Sequence, residues 1–284
     1  MASPKYFSGR NLVLAYYTWG SPDNPGLLLL HGFFGNAHDW ECYATSWASR
    51  YFVITPDLPG HGLSSWSTIA DDMSVFATAA ALKELMSSLG IDRYGVVGYS
   101  FGGRLAMHLS LLTGSALSCM VLESATPGIH DPEQRRARRI QDTQLSQLIV
   151  ARGIEWFVSY WGALPLFASQ TRLPPVVQKR IRQLRLRQDP RGLAQSLKAA
   201  GTGTQQSLWD KLETIRVPVL LITGTLDEKF CSIATTMQRE WPAMQAVSID
   251  SAGHNVHLEQ PQAFHGAVDP FLQQYLGKER NEHP

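Results

Sequence analysis

Short unbroken apolar runs alternate along this chain with longer stretches of helical period. Residues 11–18, Gly26–Leu30, Phe52–Pro56, 94–97, 119–122, 217–223 and Gln245–Ile249 are predicted as strands. The runs without polar positions belong inside a sheet covered on both faces. Between them, residues 75–89 have helical spacing and end at Gly90, a suitable C-cap. A helix is predicted from Arg104 to about Thr113, and another over residues 262–276. Asp131 as N-cap, Pro132 at the first helical position and Gln134 as capping-box partner start a helix that runs to Arg152, with Gly153 behind it. Residues 156–167 are rich in aromatics, and 174–192 read as further helix. Strands alternating with helices imply a mostly parallel sheet. The stretch 125–212 carries helices without a convincing strand. The predicted architecture is therefore an α/β core formed by residues 1–124 and 213–284, with a helical cap at 125–212 inserted into it.

The run 94–97 leads into Gly98-Tyr99-Ser100-Phe101-Gly102-Gly103-Arg104. A strand that reverses at once into a helix strains its central residue and needs glycines where the elements cross. Such a turn exposes the Ser100 hydroxyl over a helix N-terminus, as in a nucleophile elbow. A serine used this way needs a base and a group to orient the base. His254 and Asp227 each follow a predicted strand, so both reach the carboxyl edge of the sheet, where open parallel sheets place their sites. The order Ser100, Asp227, His254 is that of the α/β-hydrolase fold. Glu123, also at a strand end, is the rival acid, and His257, predicted to face the terminal helix, is the rival histidine. The glycine-rich turn His31-Gly32-Phe33-Phe34-Gly35 makes the Phe33 N–H one oxyanion donor, and the Phe101 N–H at the helix start is the second. His31 is read as supporting its turn rather than as a base, and Asp57 and His61 as tying the loop 57–64 together locally.

Composition narrows the class. A net charge of +1 gives no general affinity for nucleic acid or membrane surfaces. Three scattered cysteines, Cys42, Cys119 and Cys231, suit a reducing compartment and argue against a disulfide framework or a zinc site. Residues 1–10 have no apolar core of a secretory signal, and no run reaches membrane-spanning length. A cytoplasmic location is expected. The charge is unevenly spread: residues 130–192 hold twelve Arg or Lys against five acids, a local +7 that leaves −6 elsewhere. Arginine predominates there, which suits forked capture of carboxylates. Most of these arginines are expected to be solvated, but with Arg104 near Ser100 they point to a polyanionic small molecule.

The segments His31-Gly-Phe-Phe-Gly-Asn-Ala-His-Asp-Trp40, Asp57 to Gly62, Val97 to Arg104, Pro127-Gly128, Glu133 to Asp142, Leu186-Arg187, Asp227-Glu-Lys-Phe230 and Gly253-His-Asn-Val-His257 carry a family resemblance. The chain resembles, over nearly its whole length, the 2-succinyl-6-hydroxy-2,4-cyclohexadiene-1-carboxylate synthases of menaquinone and phylloquinone biosynthesis, a branch of the α/β-hydrolase superfamily. Arg104 directly after the elbow glycines, with the cap arginines and Lys229, is the selective part of the likeness. The resemblance implies a lyase that needs no cofactor and no metal. It removes a ring proton from a cyclohexene polycarboxylate and expels pyruvate. Ser100, supported by His254 and Asp227, would be the base. Tyr99, Arg104, Arg138, Trp161, Phe167, Arg187 and Lys229 would bind substrate, with Arg135 and Arg139 competing for the role of Arg138. The other readings are an ester or carbon–carbon bond hydrolase with Ser100 as nucleophile, and a hydrolase-fold binding protein.

Overall fold

The computed structural model describes residues 3–241 and 244–277. In chain order the elements are β1 (Lys5–Gly9), β2 (Leu12–Trp19), β3 (Gly26–Leu30), α1 (Glu41–Trp47), β4 (Phe52–Pro56), α2 (Val75–Ser88), β5 (Tyr94–Tyr99), α3 (Phe101–Thr113) and β6 (Leu117–Glu123). They continue with α4 (Pro132–Gly162), α5 (Pro175–Leu186), α6 (Pro190–Ala200), β7 (Val219–Gly224), α7 (Glu228–Glu240), β8 (Gln245–Ile249), α8 (Val256–Glu259) and α9 (Pro261–Leu276). The eight strands form one sheet in the order β1-β2-β4-β3-β5-β6-β7-β8. β2 pairs antiparallel with β1 and β4, and every later pairing is parallel.

The all-apolar runs lie at the centre of this sheet. Every residue of β3, β4, β5 and β6 is buried. Burying one Leu or Val side chain contributes about 1.5–3 kcal/mol before entropy is counted, so these four strands anchor the sheet. Leu28, Leu30, Val96 and Leu122 pack with Leu82, Leu85, Leu105 and Leu109 of α2 and α3 on one face. Leu27, Leu29, Val97 and Val121 pack with Trp40, Trp47, Phe264 and Leu272 on the other.

Between β6 and β7 the described residues form helices and no strand. α4 starts as predicted, with the Asp131 carboxylate accepting the Gln134 N–H at 2.7 Å. It does not stop at Arg152. Gly153 takes φ 77°, ψ −179°, and the helix resumes on a new axis to Gly162, which brings Phe157 and Trp161 inward. The 174–192 stretch is two helices, because Asp189 caps a fresh start at Pro190. Phe34, Ile149, Phe157, Leu193 and Leu197 form a small core that fastens these helices over the 33–34 turn.

Candidate active site

Ser100 sits between β5 and α3 with φ 49° and ψ −102°, a conformation that L-residues avoid. The crossing is tight enough to need glycine: a Cβ on Gly98 would lie 2.5 Å from the Gly102 carbonyl carbon, and one on Gly102 would strike the Leu30 carbonyl. The Ser100 N–H donates to the Glu123 carbonyl (2.8 Å), which ties the elbow to the end of β6.

The Ser100 hydroxyl lies 3.1 Å from Nε2 of His254, whose Nδ1 lies 2.6 Å from Oδ2 of Asp227. Asp227 caps α7 by accepting the Phe230 N–H at 3.2 Å, so its carboxylate is fixed by a helix that the sequence reading passed over. The Phe230 ring lies 4.5 Å from the His254 ring and shields it. His254 is 2 % exposed and Asp227 6 %. With Nδ1 protonated toward Asp227, Nε2 is free to take a proton from Ser100.

The rival residues pair with each other instead. The Glu123 carboxylate accepts from Nδ1 of His257 (2.7 Å) and from its main-chain N–H (3.0 Å). The His257 ring stacks on Trp40 at 4.2 Å and also meets Phe264 of the terminal helix. His31 supports its turn, with Nδ1–H on the Gly32 carbonyl (2.7 Å) and Nε2 accepting the Leu58 N–H (2.9 Å). His61 donates to the Pro59 carbonyl and accepts the Phe34 N–H (3.2 Å), and Asp57 accepts from Ala37 and Leu63, both at 2.8 Å. These two residues therefore brace the 33–37 turn as well as their own loop, a wider reach than the local role expected. Burial holds His31 well below the ordinary histidine range and His61 at about 4, so both stay neutral. The N–H groups of Phe33 and Phe101 have no backbone acceptor among the described residues, and both residues line the cavity over Ser100.

That cavity, of about 130 Å³, is also lined by Tyr99, Arg104, Arg138, Trp161, Phe167 and Lys229. Arg104 is 7 % exposed, and its guanidinium lies 4.8 Å from the centre of the Phe101 ring. It donates to two neutral acceptors, the Ala200 carbonyl (2.9 Å) and Oε1 of Gln205 (2.7 Å). Burial, and then the neighbouring Arg138 charge, pulls Arg104 down to about 9. Arg138 is held by Asp142 at 2.7 Å. Its competitors turn elsewhere, Arg135 to the Ile129 carbonyl (3.4 Å) and Arg139 to the exposed surface.

Arg187 needs correction. It falls just after α5, is exposed, and is absent from the cavity wall. Arg185, half a turn earlier, points inward over the rings of Phe34 (5.5 Å) and Phe167 (5.8 Å). It lines an adjoining cavity of about 270 Å³ that shares Phe33, Tyr99, Trp161 and Phe167 with the first. Sequence reasoning also missed Phe230 and Ser124, which line the first cavity. Phe230 was within reach, since it closes the Asp227-Glu-Lys-Phe segment. Among the described residues no group of three or more His, Cys, Asp or Glu gathers as a metal site, and no helix is long and apolar enough to cross a membrane.

Comparison with known proteins agrees with this geometry. A family model described as the alpha/beta hydrolase fold matches residues 25–261. A candidate 2-succinyl-6-hydroxy-2,4-cyclohexadiene-1-carboxylate synthase of Bacillus subtilis (strain 168) is 38 % identical over 89 % of this chain and 92 % of its own length. The synthase of that name from Serratia proteamaculans (strain 568) is 31 % identical over 89 % of this chain and 95 % of its own. Among solved structures, MenH from S. aureus superposes with a TM-score of 0.86 at 33 % identity, covering 92 % of this chain and 98 % of that one.

Proposed function

Because the chain belongs to the 2-succinyl-6-hydroxy-2,4-cyclohexadiene-1-carboxylate synthases of the α/β-hydrolase fold family, we propose that it eliminates pyruvate from 2-succinyl-5-enolpyruvyl-6-hydroxy-3-cyclohexene-1-carboxylate on the way to menaquinone. The observation that carries this reading is Arg104: a buried guanidinium bonded to neutral acceptors and facing Arg138, in the cavity that holds Ser100. Arg138 already has the Asp142 carboxylate, so it is the buried Arg104 charge, bonded to neutral acceptors, that calls for an anion. A simple ester offers none, whereas a tricarboxylate does.

The ring hydrogen at C2 of this substrate is α to the succinyl ketone. Ser100 takes it while His254 Nε2 accepts the serine proton, and Asp227 stabilises the charged imidazole. The electron pair forms C2=C3, the old C3=C4 bond shifts to C4=C5, and the C5–O bond breaks to release the enolate of pyruvate. That enolate takes a proton on its methylene carbon. The N–H groups of Phe33 and Phe101 receive the negative charge that develops on the ketone oxygen. Arg104 and Arg138 hold carboxylates, Lys229 stands at the rim, and Tyr99, Trp161 and Phe167 enclose the ring. Arg185 is placed for a carboxylate reaching into the adjoining cavity. The inserted helices 125–212 act as the cap that excludes water, and the free thiols of Cys42, Cys119 and Cys231 suit a cytoplasmic enzyme.

The ester and carbon–carbon hydrolase readings are not favoured, since relatives above 30 % identity carry the synthase name. The test is pyruvate release from the enolpyruvyl substrate, with rapid quench and intact-mass analysis in parallel. Elimination gives pyruvate and unmodified protein throughout. A substrate-derived adduct on Ser100 would overturn the lyase mechanism in favour of nucleophilic hydrolysis.

A further inference from the structure

We infer that Ser124 is a hydrogen-bonding residue for the uncharged ring hydroxyl of the substrate, an inference that rests on the function proposed above. Ser124 directly follows β6, beside the elbow: the carbonyl of the preceding residue, Glu123, accepts the Ser100 N–H at 2.8 Å. Ser124 is wholly buried and lines the cavity that contains Ser100. Its hydroxyl has no partner among the described residues, although a buried hydroxyl normally finds one. Two other hydroxyls of this cavity wall are engaged. Ser100 faces His254, and Thr126 closes its own turn with Gly128.

The backbone adds a second, independent sign. Ser124 holds φ 47°, where glycine fits without strain and serine does not. Its N–H is spent on the Ile222 carbonyl (2.8 Å), which holds the main chain in this conformation. A strained residue that keeps an unpaired hydroxyl in a reaction cavity is the pattern expected of a ligand contact. The identity of the contact follows from charge. Arg104, Arg138 and Arg185 suit carboxylates, and the two main-chain donors suit the ketone. Two neutral oxygens remain, the C5 ether oxygen, which departs with pyruvate, and the hydroxyl at C6, whose carbon is two bonds from the one that loses its proton. The hydroxyl, which stays on the ring and can both donate and accept, is the one that suits a serine close to Ser100.

The test uses two ligands of one skeleton. The elimination product retains the ring hydroxyl, whereas aromatic 2-succinylbenzoate is that product after loss of the hydroxyl as water. Calorimetric dissociation constants are measured for both, on wild type, Ser124→Ala and Ser124→Gly. Loss of one neutral hydrogen bond should weaken binding of the product by about three- to tenfold in both variants. Binding of 2-succinylbenzoate should stay within about twofold of wild type. Ser124→Gly should also melt above Ser124→Ala, because glycine relieves the strain. Unchanged product binding, or equal weakening of both ligands, would overturn the inference while leaving the proposed function standing. A wild-type protein that binds neither ligand and releases no pyruvate would remove both together.

Discussion

Two buried carboxylate–histidine pairs stand side by side at the carboxyl edge of the sheet. Asp227 meets His254 at 2.6 Å and Glu123 meets His257 at 2.7 Å, through Nδ1 in both cases. By distance and burial they are near twins. They differ in what lies beyond the ring: Ser100 for His254, and the aromatic rings of Trp40 and Tyr99 for His257. They also differ in what the carboxylate does next. Asp227 has its second oxygen on a helix N-terminus, whereas Glu123 gives its second oxygen to the main chain of its own partner. A carboxylate–histidine pair alone is therefore no sign of catalysis. In the mechanism proposed above one pair moves a proton, and the other holds a loop in place.

Removing the group that makes the difference should have the largest effect. Ser100→Ala should retain the fold and lower pyruvate release by about 10²–10⁴-fold, the scale of a lost positioned base. Near-normal turnover would mean that His254 is no more catalytic than His257. Next comes a matched pair of neutralisations. Asp227→Asn should cost kcat about 10²-fold or more, because the imidazole loses both its tautomer control and its counter-charge. Glu123→Gln should leave kcat within about tenfold and instead lower the melting temperature by several degrees, from about 1–3 kcal/mol of disturbed buried hydrogen bonding. If the two kcat losses match, the division of labour between the pairs is wrong.

A smaller contrast runs through the arginines. Arg104→Lys should lose about 1.5–3 kcal/mol of transition-state binding, roughly 10–150-fold in kcat/KM, since the ammonium keeps the charge but not the fork. Arg187→Ala, at an exposed position, should change kcat/KM by less than about twofold. Steady-state kinetics that rank these two variants the other way would reverse the geometric assignment.

The mildest test concerns histidines with neutral partners. Burial lowers His61 to about 4 in the folded protein, while the unfolded chain protonates this residue near 6.5. The unfolded state therefore binds the extra proton between those values, and stability is lost as pH falls from about 6.5 toward 4. His61 supplies up to about 3 kcal/mol of that loss, and His31 adds to it in the same direction. Asp57 and Asp39, raised by burial, oppose it in part, because their folded forms hold protons more tightly. Melting curves between pH 7.5 and 4.5 should show a shallower decline for His61→Asn than for wild type. Identical slopes would take His61 out of the account.

The sequence carried much of the sheet and the serine–histidine–aspartate convergence, because unbroken apolar runs and crossing glycines leave few alternatives. It was silent where the outcome depends on a helix's rotation or a partner far along the chain. β1 was missed because Lys5–Gly9 is a mostly exposed edge strand with little apolar signal. α7 was missed because Asp227 was read as a catalytic acid in a loop, when it is also the N-cap of that helix. The choice between Arg185 and Arg187 depends on which side of α5 meets the core. A helix with arginines at 180, 182 and 185 does not reveal that from spacing alone. Ser124 left no trace because positive φ at a serine has no pattern in the neighbouring residues.

Glu123 bonds to both the serine elbow and the loop that carries His254 and His257. Its carbonyl accepts the Ser100 N–H, and its carboxylate accepts the N–H of His257, three residues beyond His254. Serine and histidine are thus measured from one common datum rather than from two independent walls. A shift of the strand end would act on both loops through these two bonds, so the gap between them should be better kept than the position of either. An engineer could then remodel the inserted helices for a new substrate without realigning the proton path, because the alignment is set from beneath.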